Sequence, residues 1–194
     1  FAFGGDAPAE EVEFLDRMLA GTSMRVIGAF FPTFGALDKY AALDRLDWPR
    51  DRLDIKLIIE ADDPETKAAV LAAVNGPPYE VVTVPALPPR TKPKALAFAL
   101  PFARGSLLTI YDAEDRPHPH QLREAHYAFS RADETLACLQ APLLIDNRDA
   151  GFLARLFALE YSALFDGLLP AFVELGLPLP LGGTSNHFRR TALD

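Results

Sequence analysis

Four apolar, β-prone runs recur along this chain: Met24 to Phe31, Leu53 to Ile59, Tyr79 to Val84, and one that begins at Leu107. Each is separated from the next by a stretch with helical spacing or helix-start signals, and that alternation most restricts what the chain can fold into. Strands that alternate with helices pair in parallel, because each helix carries the chain back across the sheet. The sequence therefore predicts an α/β fold with a mainly parallel, doubly wound sheet and helices on both faces. Apolar residues at Val12, Phe14, Leu15, Met18 and Leu19 predict a lead-in helix over 10–19 that stops at Gly21. A short helix is expected over 37–46, stopped by Trp48-Pro49, and another over 64–74, with Asp62 or Asp63 as N-cap and Pro64 in its first turn. A third is expected over 93–103, and an apolar helix over 152–169.

The ends of two of these strands carry the chemistry. Leu107 to Tyr111 runs straight into Asp112, Glu114 and Asp115, and Leu53 to Ile59 runs into Glu60, Asp62 and Asp63. In an open α/β sheet, ligands bind beyond the carboxyl ends of the strands. Three hard oxygen donors at one such end suit Mg²⁺ or Mn²⁺ holding a diphosphate, and a second acidic pair can take a ribose or a base. Lys92 and Lys94 lie between the two, at a helix start where cations and free amides meet an anion. The plain alternatives are an acidic turn that solvates a strand end, carboxylates that only cap a helix, and lysines that only face water.

Composition removes other classes. The chain has 194 residues, 49% of them hydrophobic, which is enough for a sizeable core and favours one domain. With 27 acidic against 19 basic residues, a formal charge of -8 and no dense Lys/Arg cluster, nucleic-acid binding is disfavoured. Cys138, the one cysteine, lies in the apolar run Leu136 to Leu139 and reads as a small core residue in a reducing compartment. No basic region followed by a long apolar run marks a signal peptide. The greasy stretch 152–181 is interrupted by Arg155, Glu160, Asp166, Glu174 and prolines, which argues against a transmembrane helix.

Five separated strings, IIEADD, TKPKALAFAL, IYDAEDRPHPHQL, CLQAPLLIDN and GGTSNHFRR, occur in an order that resembles the family 2 glycosyltransferases, particularly the processive synthases related to cellulose synthase. The likeness spans about Met24 to Asp194. It implies a GT-A-like, nucleotide-binding fold, with residues 1–23 as a lead-in helix and linker and 24–194 as part of the catalytic domain. It also implies an inverting, metal-dependent transfer from UDP-glucose or a similar UDP-hexose to a glycan acceptor in polysaccharide synthesis. By this resemblance Pro32, Thr33 and Phe34 lie near uracil, Asp62 and Asp63 at the base or ribose, and Lys94 and Lys92 beside the nucleotide. Asp112 and Glu114 match the metal-binding Asp-x-Asp positions, Asp112 also meeting the nucleotide, with Asp115 as a third carboxylate beside Mg²⁺ or Mn²⁺. Gly183, Thr184, Ser185 and Asn186 match the small-residue turn at the acceptor sugar, followed by Arg189 and Arg190. His187, from its own place in that turn, could touch an acceptor sugar.

The departures from the family pattern are as specific. Gly35 and Ala36 stand where Asn-Glu is usual, and Ala97 stands where Asn is common. The family's base lies in a Thr-Glu-Asp motif beyond the Gly183 turn, with a Gln-x-x-Arg-Trp motif further on, and neither falls within these residues. The resemblance thus implies a donor-binding core with little or no transfer activity, the C-terminal part of the domain being absent. It implies membrane attachment through segments outside this sequence, and a place in the cytoplasm as the cytosolic domain of an inner-membrane protein. Two other classes compete. A phosphotransferase of the haloacid dehalogenase type uses an Asp after a strand but wants Asp two residues later, where this chain has Glu114. A non-catalytic nucleotide-binding module would keep the fold without the base. His118 and His120 beside Asp115 do not make a zinc site, because a second ligand pair is lacking.

Overall fold

The computed structural model describes residues 24–29, 42–74 and 76–193. The predicted helix over 10–19, most of that over 37–46, and Pro32, Thr33 and Phe34 lie outside the described residues. Of the 37–46 segment, residues 42–44 are helical.

Six strands form one sheet: β1 (Met24–Ala29), β2 (Ile55–Glu60), β3 (Tyr79–Val84), β4 (Leu107–Tyr111), β5 (Cys138–Gln140) and β6 (Asn186–Arg189), in the order β3-β2-β1-β4-β6-β5. The pairs β3-β2, β2-β1 and β1-β4 are parallel, and β6 runs antiparallel to both β4 and β5. The order reverses at β1, whose neighbours β2 and β4 lie on either side of it. Such a reversal opens a crevice at the carboxyl ends of the strands.

The helices are α1 (Pro64–Ala73), α2 (Lys92–Ala99), α3 (Gln121–Arg131), α4 (Phe152–Ser162) and α5 (Leu169–Glu174). Period-two alternation divides the core. Ile55, Leu57, Ile59, Leu107 and Tyr111 face one side with Val70 of α1 and Leu122, Ala125 and Phe129 of α3. Ile58, Val82, Val84 and Leu108 face the other, against Ala99 of α2 and Ala103. Helices therefore cover both faces, and each fully buried aliphatic side chain contributes about 1.5–3 kcal/mol. Trp48 is core: its ring meets that of buried His126 edge-on, 5.4 Å between centroids.

Helix ends follow local chemistry. Asp63, not Asp62, caps α1, accepting from the Thr66 amide at 3.0 Å, with Pro64 in the first turn. Helix α2 begins at Lys92 and gives way to a 3₁₀ turn at Leu100–Phe102, earlier than the predicted Ala103. Pro101 has no N–H with which to extend the α ladder.

The apolar segment departs from expectation. Helix α4 passes through a π-helical stretch at Ala163–Leu168 into α5, so Phe152–Glu174 is one helical run of 23 residues. By length and composition it is, among the described residues, the one helix long and apolar enough to cross a membrane. The interruptions that argued against a span are too sparse to prevent this, and Pro178 and Pro180 fall beyond the helix. Many of its large side chains are exposed, Phe152 at 80%, Leu153 at 67% and Leu159 at 68%, while Leu169 is buried.

Candidate active site

Buried β4 delivers Asp112 to the crevice at its carboxyl end. The turn after β4 folds back on itself, the Asp112 amide donating to Asp115 Oδ2 at 2.7 Å. The Thr184 hydroxyl lies 3.1 Å from the same amide and donates to the same Asp115 oxygen. One carboxylate thus ties the strand end to the 182–185 turn, seventy residues along the chain. Burial raises the Asp115 pKa above its ordinary 3.8, while the Thr184 and Asp112 donors pull it down. Asp115, expected as a third carboxylate beside the metal, is held by the Asp112 amide and the Thr184 hydroxyl. Glu114 is exposed. Among the described residues no group of three or more His, Cys, Asp or Glu side chains is disposed to hold a metal. Asp112 and Glu114 remain, and one or two carboxylates completed by substrate phosphates and waters is the donor set that Mg²⁺ takes.

The two lysines part company. The Lys92 ammonium is paired with the Asp112 carboxylate and donates to the Gly183 carbonyl. The Lys94 ammonium donates to the Pro85 and Leu87 carbonyls at 2.9 and 2.8 Å and sits 3.4 Å from Glu60 at the end of β2. Asp62 is ion-paired with Arg90 from the Pro-rich loop, and Asp63 is occupied by its capping bond. The structure therefore brings Lys92, Asp112, Asp115, Gly183 and Thr184 together, and sets Asp62 and Lys94 apart beside the 85–90 loop.

The acceptor-like turn is more buried than its sequence suggests. Thr184, Ser185 and Asn186 are all buried, and Asn186 opens β6 rather than belonging to the turn. Ser185 has a φ of 54°, in the left-handed region, and is pinned there: its amide donates to the Ile110 carbonyl at 2.8 Å and its carbonyl accepts from Ala141 at 2.9 Å. The Asn186 amide nitrogen donates to the Gly182 carbonyl at 2.6 Å. His187 does not reach an acceptor. It points into the core, its Nδ1 2.8 Å from Thr109 Oγ1 and its ring edge-on to Tyr111, and burial lowers its pKa to about 4. A strand following the turn alternates, so its second residue faces inward. His118 and His120 occupy the loop before α3, His120 at its N-cap position. Cys138 is half-buried, with its pKa pushed up to about 11 by burial.

One residue escaped the sequence reading. Gln140, paired with Asn186 across β5 and β6, has both amide atoms buried without a partner, as has Asn186 Oδ1. A Cβ at Gly182 would lie 2.4 Å from Gln140 Nε2, so a larger residue there would make the Gln140 side chain shift. The register of β5 and β6 was not visible in the sequence, which left Gln140 as an ordinary strand polar residue.

No protein-family model and no curated protein matches this sequence. Solved structures do. Glucosyl-3-phosphoglycerate synthase from Mycobacterium tuberculosis in complex with Mn²⁺, UDP and phosphoglyceric acid is similar with a TM-score of 0.58 and 18% identity, over 98% of this chain and 63% of that one. The same enzyme with phosphoglyceric acid gives 0.56 at 20%, again over 98% and 63%. A structure described as a mycobacterial protein gives 0.54 at 22%, over 98% and 59%. The chain has the GT-A glycosyltransferase fold. It spans less than two thirds of the length of each of these structures. In this GT-A chain the carboxylate at the β4 end and the lysine at the α2 start are ion-paired.

Proposed function

We propose that this chain is the donor-binding core of an inverting, metal-dependent glycosyltransferase that takes a UDP-hexose such as UDP-glucose and serves polysaccharide synthesis. The observation that carries the reading is Asp112, which a buried parallel strand sets at the crevice next to a cation and to the 182–185 turn. The GT-A fold supports it, as do the Mn²⁺ and UDP bound by the similar synthase.

Each residue then has a task. Asp112, with Glu114 beside it in the chain, would hold Mg²⁺ or Mn²⁺ through hard oxygens. When bound, that ion neutralises the charge that develops on the departing diphosphate. Lys92 supplies a compact positive charge to the same diphosphate. Asp62, ion-paired with Arg90 of the facing loop, would meet the ribose or base, and the family resemblance assigns Pro32, Thr33 and Phe34 to the base. The 183–186 segment would border the acceptor, with buried Thr184, Ser185 and Asn186 shaping it from beneath. The exposed helix Phe152–Glu174 supports a membrane neighbour and so a cytosolic domain of an inner-membrane synthase.

Calorimetric titration of UDP and UDP-glucose, with Mn²⁺ and then with EDTA, tests this. Binding is expected with Mn²⁺ alone, and Asp112→Asn is expected to weaken it at least about tenfold, the loss of one charge-assisted contact. Binding indifferent to both chelator and variant would overturn the metal site. Turnover of bound UDP-glucose separates an active transferase from a nucleotide-binding module.

A further inference from the structure

Lys92 and Lys94 differ in what their ammonium groups hold. An ammonium has three donors. Those of Lys94 are matched by the Pro85 and Leu87 carbonyls and by Glu60, so this lysine is a fixed strut of the 85–87 loop. Those of Lys92 are divided between the Asp112 carboxylate, the best-placed metal ligand of the crevice, and the Gly183 carbonyl in the turn opposite. Both members of the Lys92–Asp112 pair are largely shielded, their side chains 18% and 21% exposed, so little water screens the attraction. A divalent ion on Asp112 would stand against an ammonium already at that carboxylate, and the two positive charges cannot share it without repulsion.

Resting on the reading of a metal-diphosphate site, we propose that Lys92 competes with a divalent ion for Asp112. Lys92 holds Asp112 and the Gly183 turn together, and it must leave both when a divalent ion and a nucleoside diphosphate enter. Its long, flexible stem starts at the first residue of α2 and allows the ammonium to transfer to the incoming diphosphate. Donor entry then releases one tie on the turn, the Lys92–Gly183 bond, and leaves the others, Thr184 on Asp115 and Ser185 on Ile110 among them. The acceptor side would thereby loosen only after the donor is in place.

The test is a titration of Mn²⁺ alone, with no nucleotide, followed by electron paramagnetic resonance of the free ion. Wild type is compared with Lys92→Met and Lys94→Met, and each variant's folding is checked by circular dichroism. Lys92→Met is expected to bind Mn²⁺ a few-fold to about tenfold more tightly than wild type, because the competing charge is gone. Lys94→Met is expected to bind as wild type does. Hydrogen exchange at Gly183 to Ser185 is expected to quicken in Lys92→Met, and in wild type on addition of Mn²⁺ with UDP. Equal or weaker Mn²⁺ binding by folded Lys92→Met overturns the proposal while leaving the metal site standing. Absence of Mn²⁺ binding in every protein overturns the competition, and the metal site falls with it if Mn²⁺ is not taken up in the presence of UDP either. Should Lys92→Met not fold, Lys92→Arg, which keeps the charge, is expected to bind Mn²⁺ no better than wild type, and tighter binding there refutes the competition.

Discussion

His187 shows how burial converts a titratable residue into a pH-dependent element of stability. Its ring is 2% exposed between Thr109 and Tyr111, and its Nε2 has no partner. Protonation would place a charge where nothing compensates it. The folded pKa, about 4, lies below the ordinary 6.5, so the unfolded chain binds the proton first as pH falls. The contribution is fully present above about pH 6.5 and is lost as pH drops toward 4, up to about 3 kcal/mol over that window. Buried His126 acts in the same direction and Asp115, with its raised pKa, in the opposite one. The difference between wild type and His187→Gln isolates this residue: urea unfolding at pH 7 and pH 5 is expected to show a steeper decline for wild type. A parallel decline in both proteins would remove His187 from the account.

At the scale of elements, α1 separates capping from binding. Asp63→Ala removes the bond to Thr66 and is expected to cost about 1 kcal/mol of stability while leaving nucleotide affinity within twofold. Asp62→Ala is expected to do the reverse, and the pair is read by denaturant midpoints beside calorimetry. The spacing of apolar residues and prolines made β2, β3, β4 and α1 legible to within two residues, because their cores and caps are local in sequence. That Asp112 follows a buried strand could also be read directly. What could not be read depends on partners far along the chain. The choice between Lys92 and Lys94 rests on loops at 85–87 and 183, the anchoring of Asp115 rests on Thr184, and the burial of His187 rests on where β6 docks. The continuous helix through Phe152–Glu174 was missed for another reason: scattered charges were weighed over a longer stretch than the helix occupies.

Across the whole molecule, core and exposed apolar surface are sharply divided. Leu122 on α3 is 0% exposed and Leu159 on α4 is 68% exposed. Leu122→Ala is expected to lower stability by about 2–5 kcal/mol, and Leu159→Glu to change it by no more than about 0.5 kcal/mol, both measured by urea unfolding. A large loss from Leu159→Glu would mean that the helix packs on this domain after all. The sheet carries a further consequence. Strand β6 pairs with β4 and brings the Gly183 turn to Asp112, although about seventy residues separate them in the chain. Contacts so distant in sequence close late. During synthesis on the ribosome, β1 to β4 and their acidic strand ends therefore emerge well before the segment that pairs with β4, and the Asp112–Thr184 contact cannot form until almost all of these residues have been made.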